Sequence, residues 1–136
     1  LQATFNFNES LILSLHEALF LSYAVGCLDI YTVHNQLLGT LQFFDLCCKY
    51  EGYEQFLSRY VAYHYLRARG YVVRCGLKYG SDFVLYRKGP GIDHAQYSVN
   101  VVSGNSSTGD FEKQMNLKDL HHFCRLNVNV AKVRNL

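Results

Sequence analysis

Up to Arg69 the apolar side chains return at three- and four-residue steps, and from Tyr71 onward they return at every second residue. The chain therefore reads as helices first and strands afterwards. Ser14-Leu15-His16-Glu17 has the form of a capping box, in which the serine accepts from the first-turn backbone and the glutamate reaches back. It predicts a helix over 15–25, stopped by Gly26. A second helix is predicted over 35–49, with Leu38, Leu41, Phe44 and Cys48 on one face and Gly39 as its weak point. Glu51-Gly52 breaks the pattern. A third helix over 53–69 carries Phe56, Tyr60, Tyr63 and, at the edge of the stripe, Arg67, before Gly70 ends it.

Residues 71–75, 82–86 and 95–102 are rich in β-branched and aromatic side chains and predict strands. A polar loop follows at 104–110, then a short helix over 116–125 capped by Asn116, and a last strand over 127–133 with Val128 and Val130 on one side. No internal repeat is visible. The expected fold is mixed α/β (α+β): a small helical N-terminal domain at 1–57, followed at 58–136 by a domain in which helices flank a mixed β-sheet.

With 136 residues the chain holds one ordinary core, with at most a small accessory layer, which excludes two large domains. Its apolar runs fall well short of the ~18 residues of a membrane span. No signal peptide is visible, and a chain opening on Leu1 is expected to be a piece of a longer product. The five cysteines (Cys27, Cys47, Cys48, Cys75, Cys124) are an odd set without CxxC spacing. This argues against a zinc site and for reduced, buried thiols in a reducing compartment.

The net charge of +2 conceals an uneven distribution. Through Ser58 one cation faces six acids, giving −5, whereas from Arg59 to Lys88 seven cations face Asp82 alone, giving +6. Such a basic segment attracts polyanions, phosphate first among them, although a solvated helix face explains part of it equally well.

The stretch KYGSDFVLYRKGPGIDHAQYSVNVV (78–102) sets two strands on either side of a glycine-proline turn. The turn itself needs only the glycines and Pro90. Yet Tyr86, Arg87 and Lys88 close one strand, and Asp93 and His94 lead into the next. Tyr86 and His94 are thus placed to approach at the hairpin mouth, and Lys132 joins them if the last strand pairs nearby. Histidine, with a reference pKa of ~6.5, donates a proton at neutral pH, and lysine holds negative charge. Tyrosine, at ~10, is a poor base unless cations such as Lys132 or Arg87 stabilise its phenolate. Spacing alone leaves chance proximity open, since the chain has 11 tyrosines and six histidines, with Tyr63-His64-Tyr65 and His121-His122 elsewhere. A metal-dependent nuclease centred on Asp82 near Lys88 is a further alternative, although Phe83 to Lys88 contains no carboxylate.

The segment GLKYGSDFVLYRKGPGIDHAQYSV (76–99) resembles the catalytic domain of the tRNA-splicing endonucleases, and within them the eukaryotic catalytic subunit associated with the 5′ splice site. SLHEALFLSYAVGCLDIY (14–31) is similar to that family's N-terminal domain, YVAYHYLRARGYVVRCG (60–76) to the helix and strand opening its catalytic domain, and RLNVNVAK (125–132) to its lysine-bearing segment. After Lys132 the family continues as an apolar strand used in subunit pairing, whereas this chain reads Val133-Arg134-Asn135-Leu136.

The resemblance implies catalytic roles for Tyr86, His94 and Lys132. It implies metal-free cleavage by the RNA's own 2′-hydroxyl, with no cofactor, to leave a 2′,3′-cyclic phosphate and a 5′-hydroxyl. Lys78, Arg87 and Lys88 are then expected to bind backbone phosphate. The implied substrate is precursor tRNA, read by its folded body and exposed bulge nucleotides. The implied setting is nuclear: a heterotetramer with a structural partner subunit, the other catalytic subunit, which supplies bulge-clamping arginines, and that subunit's companion. A catalytically silent RNA-binding or scaffold subunit of the same complex is the alternative.

Overall fold

The computed structural model describes residues 10–102. The predicted loop at 104–110, helix at 116–125 and strand at 127–133, with Cys124 and Lys132, lie outside the described residues. The chain divides into two compact units between Phe44 and Asp45, and each is described by itself.

In the first unit the capping box forms as its sequence dictates. Glu17 N–H donates to Ser14 Oγ at 3.2 Å, and Ser14 N–H donates to Glu17 Oε2 at 2.8 Å. Helix α1 spans Leu15–Leu19 and buries His16 and Leu19. Its backbone then loosens into a π-helix over Phe20–Val25, so the predicted single helix changes hydrogen-bonding register partway. Gly26 ends it in the left-handed region, φ 71°, as the sequence predicts.

The second predicted helix starts late. Residues 35–39 are not helical: β1 (Ile30–Tyr31) and β2 (Leu37–Leu38) form an antiparallel hairpin, with Ile30 opposite Leu38. The reversal between them is closed by Asn35 N–H donating to Thr32 O at 2.9 Å, with Asn35 itself at φ 61°. Asparagine tolerates that conformation because its short polar side chain bonds locally. Helix α2 then runs over Thr40–Glu51. Gly39 N–H donates to Gln42 Oε1 at 3.0 Å, so the glycine that weakened the prediction marks the true start.

In the second unit α3 (Tyr53–Ala68) buries Phe56, Tyr60, Tyr63 and Leu66 along one stripe. Each such side chain contributes about 1.5–3 kcal/mol by leaving water. Gly70, at φ 85°, turns the chain, and Arg67 Nη1 donates to Tyr71 O at 3.2 Å across the reversal. Strands β3 (Val72–Cys75), β4 (Phe83–Tyr86) and β5 (Tyr97–Val99) follow in antiparallel order β3-β4-β5. All strand pairs among the described residues are antiparallel.

β4 is central, and all four of its residues are buried. Alternation gives its two faces different partners. Phe83 and Leu85 share a face with Val73, and the Phe83 ring lies 5.8 Å from that of Tyr63 on α3. Val84 and Tyr86 lie on the other face, in a cluster with Ala95, Val72 and Tyr79. The mixed α/β class expected from the sequence is the one observed.

Between β3 and β4 the chain makes a tight turn through a 3-10 segment, Leu77–Tyr79. Gly76 is required here by space. A Cβ at this position would collide with Ser81 Oγ and sit 2.7 Å from Ser81 O and 2.9 Å from Phe83 N.

The cysteine expectation needs correction. Cys47 and Cys48 are buried, whereas Cys27 and Cys75 are exposed; all four are free thiols. Burial first, then the neighbouring Cys48 and Glu51, pushes the Cys47 thiol up to about 11.

Candidate active site at the β4-β5 hairpin mouth

The site is built by one strand end and one turn. Tyr86 closes β4 opposite Val72 of β3, and its ring is packed among Val84, Ala95 and Val72, leaving it 8% exposed. Packing of this kind fixes the ring's direction, which a base or a charge-bearing phenol requires. Eight residues later the chain returns at His94, which is exposed.

The connecting turn holds itself. Ile92 and Asp93 N–H groups both donate to Gly89 O, at 3.2 and 3.0 Å, with Gly89 at φ 122°, a conformation that favours glycine. Asp93 Oδ1 then accepts the His94 backbone N–H at 2.9 Å. These bonds set where the imidazole leaves the backbone. Below it, Gln96 N–H donates to Leu85 O at 2.8 Å, closing the mouth. Among the described residues no hydrogen bond joins Tyr86 to His94.

The predicted phosphate-binding cations separate into two places. Arg87 and Lys88 are exposed directly after Tyr86, at the mouth. Lys78 is exposed too, but on the 3-10 turn that precedes β4. Three strand steps at ~3.4 Å put roughly 10 Å of β4 between those ends. Lys132 lies outside the described residues.

The seven-cation segment is less uniform than its composition suggests. Arg59 is engaged internally, with Nη2 2.7 Å from Asp82 Oδ1 and Nη1 3.9 Å from Glu51 Oε2. Arg67 closes a turn, and Arg69 lies 4.9 Å over the Tyr65 ring. Arg87 and Lys88 are the exposed cations of this segment that directly follow Tyr86 at the mouth.

Asp82, the carboxylate on which a metal-dependent reading rests, is committed as well. Besides Arg59 it accepts the Val101 N–H through Oδ2 at 2.8 Å, while its own N–H reaches Asn100 Oδ1 at 3.0 Å. No group of three or more His, Cys, Asp or Glu side chains with metal-binding geometry occurs among the described residues. Sequence reasoning missed two residues of this neighbourhood. One is Arg59 as Asp82's partner, which no local spacing signals. The other is Gln96, whose carboxamide oxygen accepts from Arg87 Nε at 3.1 Å and whose only signal was its place after the turn.

Comparison with known proteins covers the same residues. Residues 56–133 match the family described as tRNA intron endonuclease, catalytic C-terminal domain. The chain is 40% identical over 125 residues to the tRNA-splicing endonuclease subunit Sen2 of Mus musculus, an alignment covering 91% of this chain and 26% of the mouse protein. It is 43% identical over 91 residues to subunit SEN2 of Saccharomyces cerevisiae, covering 67% of this chain and 23% of the yeast protein. A 43-residue stretch, 32% of this chain, is 63% identical to 24% of the tRNA-splicing endonuclease of Hyperthermus butylicus. The chain thus spans about a quarter of the length of these relatives. With more than half of its residues matched in one continuous segment that includes the hairpin mouth, this chain belongs to the tRNA intron endonuclease family.

Proposed function

We propose that this chain is the catalytic part of a tRNA-splicing endonuclease subunit that cuts intron-containing precursor tRNA at the 5′ splice site. The observation that carries the reading is the hairpin mouth. A packed tyrosine and an exposed histidine are set on the two sides of one self-bonded turn, with two exposed cations between them.

In this reading Tyr86 takes the proton of the 2′-hydroxyl next to the scissile phosphate. The freed oxygen attacks phosphorus, the bond from phosphorus to the 5′-oxygen breaks, and His94 gives that oxygen its proton. Lys132 balances the charge that builds on the non-bridging oxygens. The products are a 2′,3′-cyclic phosphate and a 5′-hydroxyl. Each proton transfer supplies ~10²–10⁴ in rate, so side chains suffice without a metal ion. The engagement of Asp82 by Arg59 and Val101 supports this reading over one in which Asp82 holds a cation.

Arg87 and Lys88 hold phosphate close to the cut, and Lys78 contacts the RNA farther along. The protein works as one subunit of a nuclear heterotetramer, with a structural partner, a second catalytic subunit and that subunit's companion. His94→Ala, introduced into the full-length protein within its assembled complex, tests the acid directly. Cleavage at the 5′ site slows ~10²–10⁴-fold while RNA affinity stays near wild type. Cleavage at the wild-type rate removes His94 from the reaction.

A further inference from the structure

Arg87 is held differently from Arg59, Arg67 and Arg69 of its segment. Arg59 is neutralised by carboxylates, Arg67 is spent on a backbone carbonyl, and Arg69 lies against an aromatic ring. At the hairpin mouth Arg87 Nε donates instead to a neutral acceptor, the Gln96 carboxamide, at 3.1 Å. A carboxylate at that position would anchor the guanidinium equally well but would cancel its charge. An amide anchors it and leaves the charge whole. With Nε occupied, the edge carrying both Nη groups is the one left for a bidentate contact, and that edge matches two oxygens of a phosphate. Gln96 is itself fixed, since its N–H donates to Leu85 O at 2.8 Å and the preceding Ala95 packs beside Tyr86.

We propose that Gln96 is a positioning residue: it aims the uncancelled guanidinium of Arg87 at a phosphate beside the scissile bond. The inference rests on the RNA-cleaving reading above and adds a residue to it. Gln96 touches no substrate in this scheme and acts only through Arg87.

The test uses the full-length protein in its assembled complex, with precursor tRNA as the probe and binding measured separately from cleavage over a range of salt concentrations. Gln96→Glu keeps an acceptor for Arg87 Nε and should keep the melting temperature. It should nevertheless lower the salt slope of RNA binding by about 0.7–0.9, the same loss as Arg87→Ala, because one phosphate contact has been cancelled. Gln96→Met keeps the charge and loses the aim. Its salt slope should stay at wild type while kcat for 5′ cleavage falls roughly ten-fold, as expected when a positioned group is displaced.

A residue that merely staples the hairpin gives the opposite pattern. Gln96→Glu would then behave as wild type in affinity, slope and rate, and that result overturns the proposal. Should Gln96→Glu fail to fold, Arg87→Lys carries the test, since it keeps the charge without the anchored fork. A ten-fold loss of kcat at unchanged slope supports the proposal, and full activity overturns it. The binding measurements stand apart from the cleavage reading. A complex that cuts through other residues still shows or lacks the slope change, and a complex with the wrong Gln96 pattern can still depend on His94.

Discussion

Arg59 and Asp82 meet at 2.7 Å, tying helix α3 to the residue that leads into β4. The second carboxylate oxygen holds the Val101 N–H, so one side chain secures a helix, a strand entrance and the chain leaving β5. The partners are only part-exposed, with side-chain accessibilities of 34% and 15%. Asp82→Asn should therefore destabilise the protein by about 1–3 kcal/mol, less than a fully buried pair and more than a surface one. Urea unfolding of the single variants and of Arg59→Met with Asp82→Asn checks this. The double variant should lose less than the sum of the singles, which is the signature of direct coupling.

The turn that carries Lys78 predicts a second stability effect. Gly76→Ala places a methyl group against Ser81 Oγ, Ser81 O and Phe83 N, the last two at 2.7 and 2.9 Å. Two of those three atoms are backbone and cannot rotate away. The substitution should cost about 1–3 kcal/mol by thermal or urea unfolding. Adding Ser81→Gly should relieve only part of it, because the carbonyl and amide contacts remain.

The thiols should divide by burial. Cys27 and Cys75 are exposed, whereas Cys47 and Cys48 are buried. Burial raises the Cys47 thiol to about 11, and burial with the Asp45 carboxylate raises that of Cys48. Iodoacetamide at pH 8, followed by peptide mass spectrometry, should label Cys27 and Cys75 first and leave Cys47 and Cys48 until the protein is unfolded. In the unfolded chain a thiol ionises near ~8.5. Since the folded thiol ionises later, its contribution to stability is complete below that value and is lost as pH rises toward 11. Cys47→Ala should flatten that part of the alkaline stability profile.

Lys78 and the Arg87–Lys88 pair sit at opposite ends of β4, so their removal should affect RNA binding differently. Arg87→Ala with Lys88→Ala should weaken precursor tRNA binding, lower the salt slope by roughly 1.5 and slow cleavage. Lys78→Ala should lower the slope by about 0.7–0.9 and leave kcat near wild type. Filter binding at several salt concentrations, paired with single-turnover cleavage, separates the two.

Much of this fold is written locally, and those parts are legible. The Ser14–Glu17 box, Gly26 and Gly70 state where helices start and stop, and the period of two announces β3, β4 and β5. The hairpin of β1 and β2 was not legible, because its turn relies on Asn35 rather than on glycine and its strands are two residues each. The late start of α2 was marked by Gly39, but the Gln42 side chain that completes it shows only in three dimensions. At the site, the turn between Tyr86 and His94 was readable from its glycines and Pro90. Gln96 and the Arg59–Asp82 pair were not, since each depends on contacts between segments that no spacing rule connects. The split of Lys78 from Arg87 and Lys88 likewise follows from the length of β4 and not from charge counting.

The central claim is that the RNA's own 2′-hydroxyl is the nucleophile, with Tyr86 and His94 moving the protons. It is tested most directly by end-group analysis of precursor tRNA cut by the assembled complex in excess EDTA, with folding maintained by monovalent salt. Natural substrate and a substrate with a single 2′-deoxy nucleotide at the 5′ scissile position are run side by side. The account predicts a 2′,3′-cyclic phosphate on the 5′ exon from the natural substrate and no cut at that bond in the deoxy substrate. A 3′-hydroxyl on that exon, or cleavage of the deoxy substrate at the same bond, would contradict it, because attack by water would then be the chemistry.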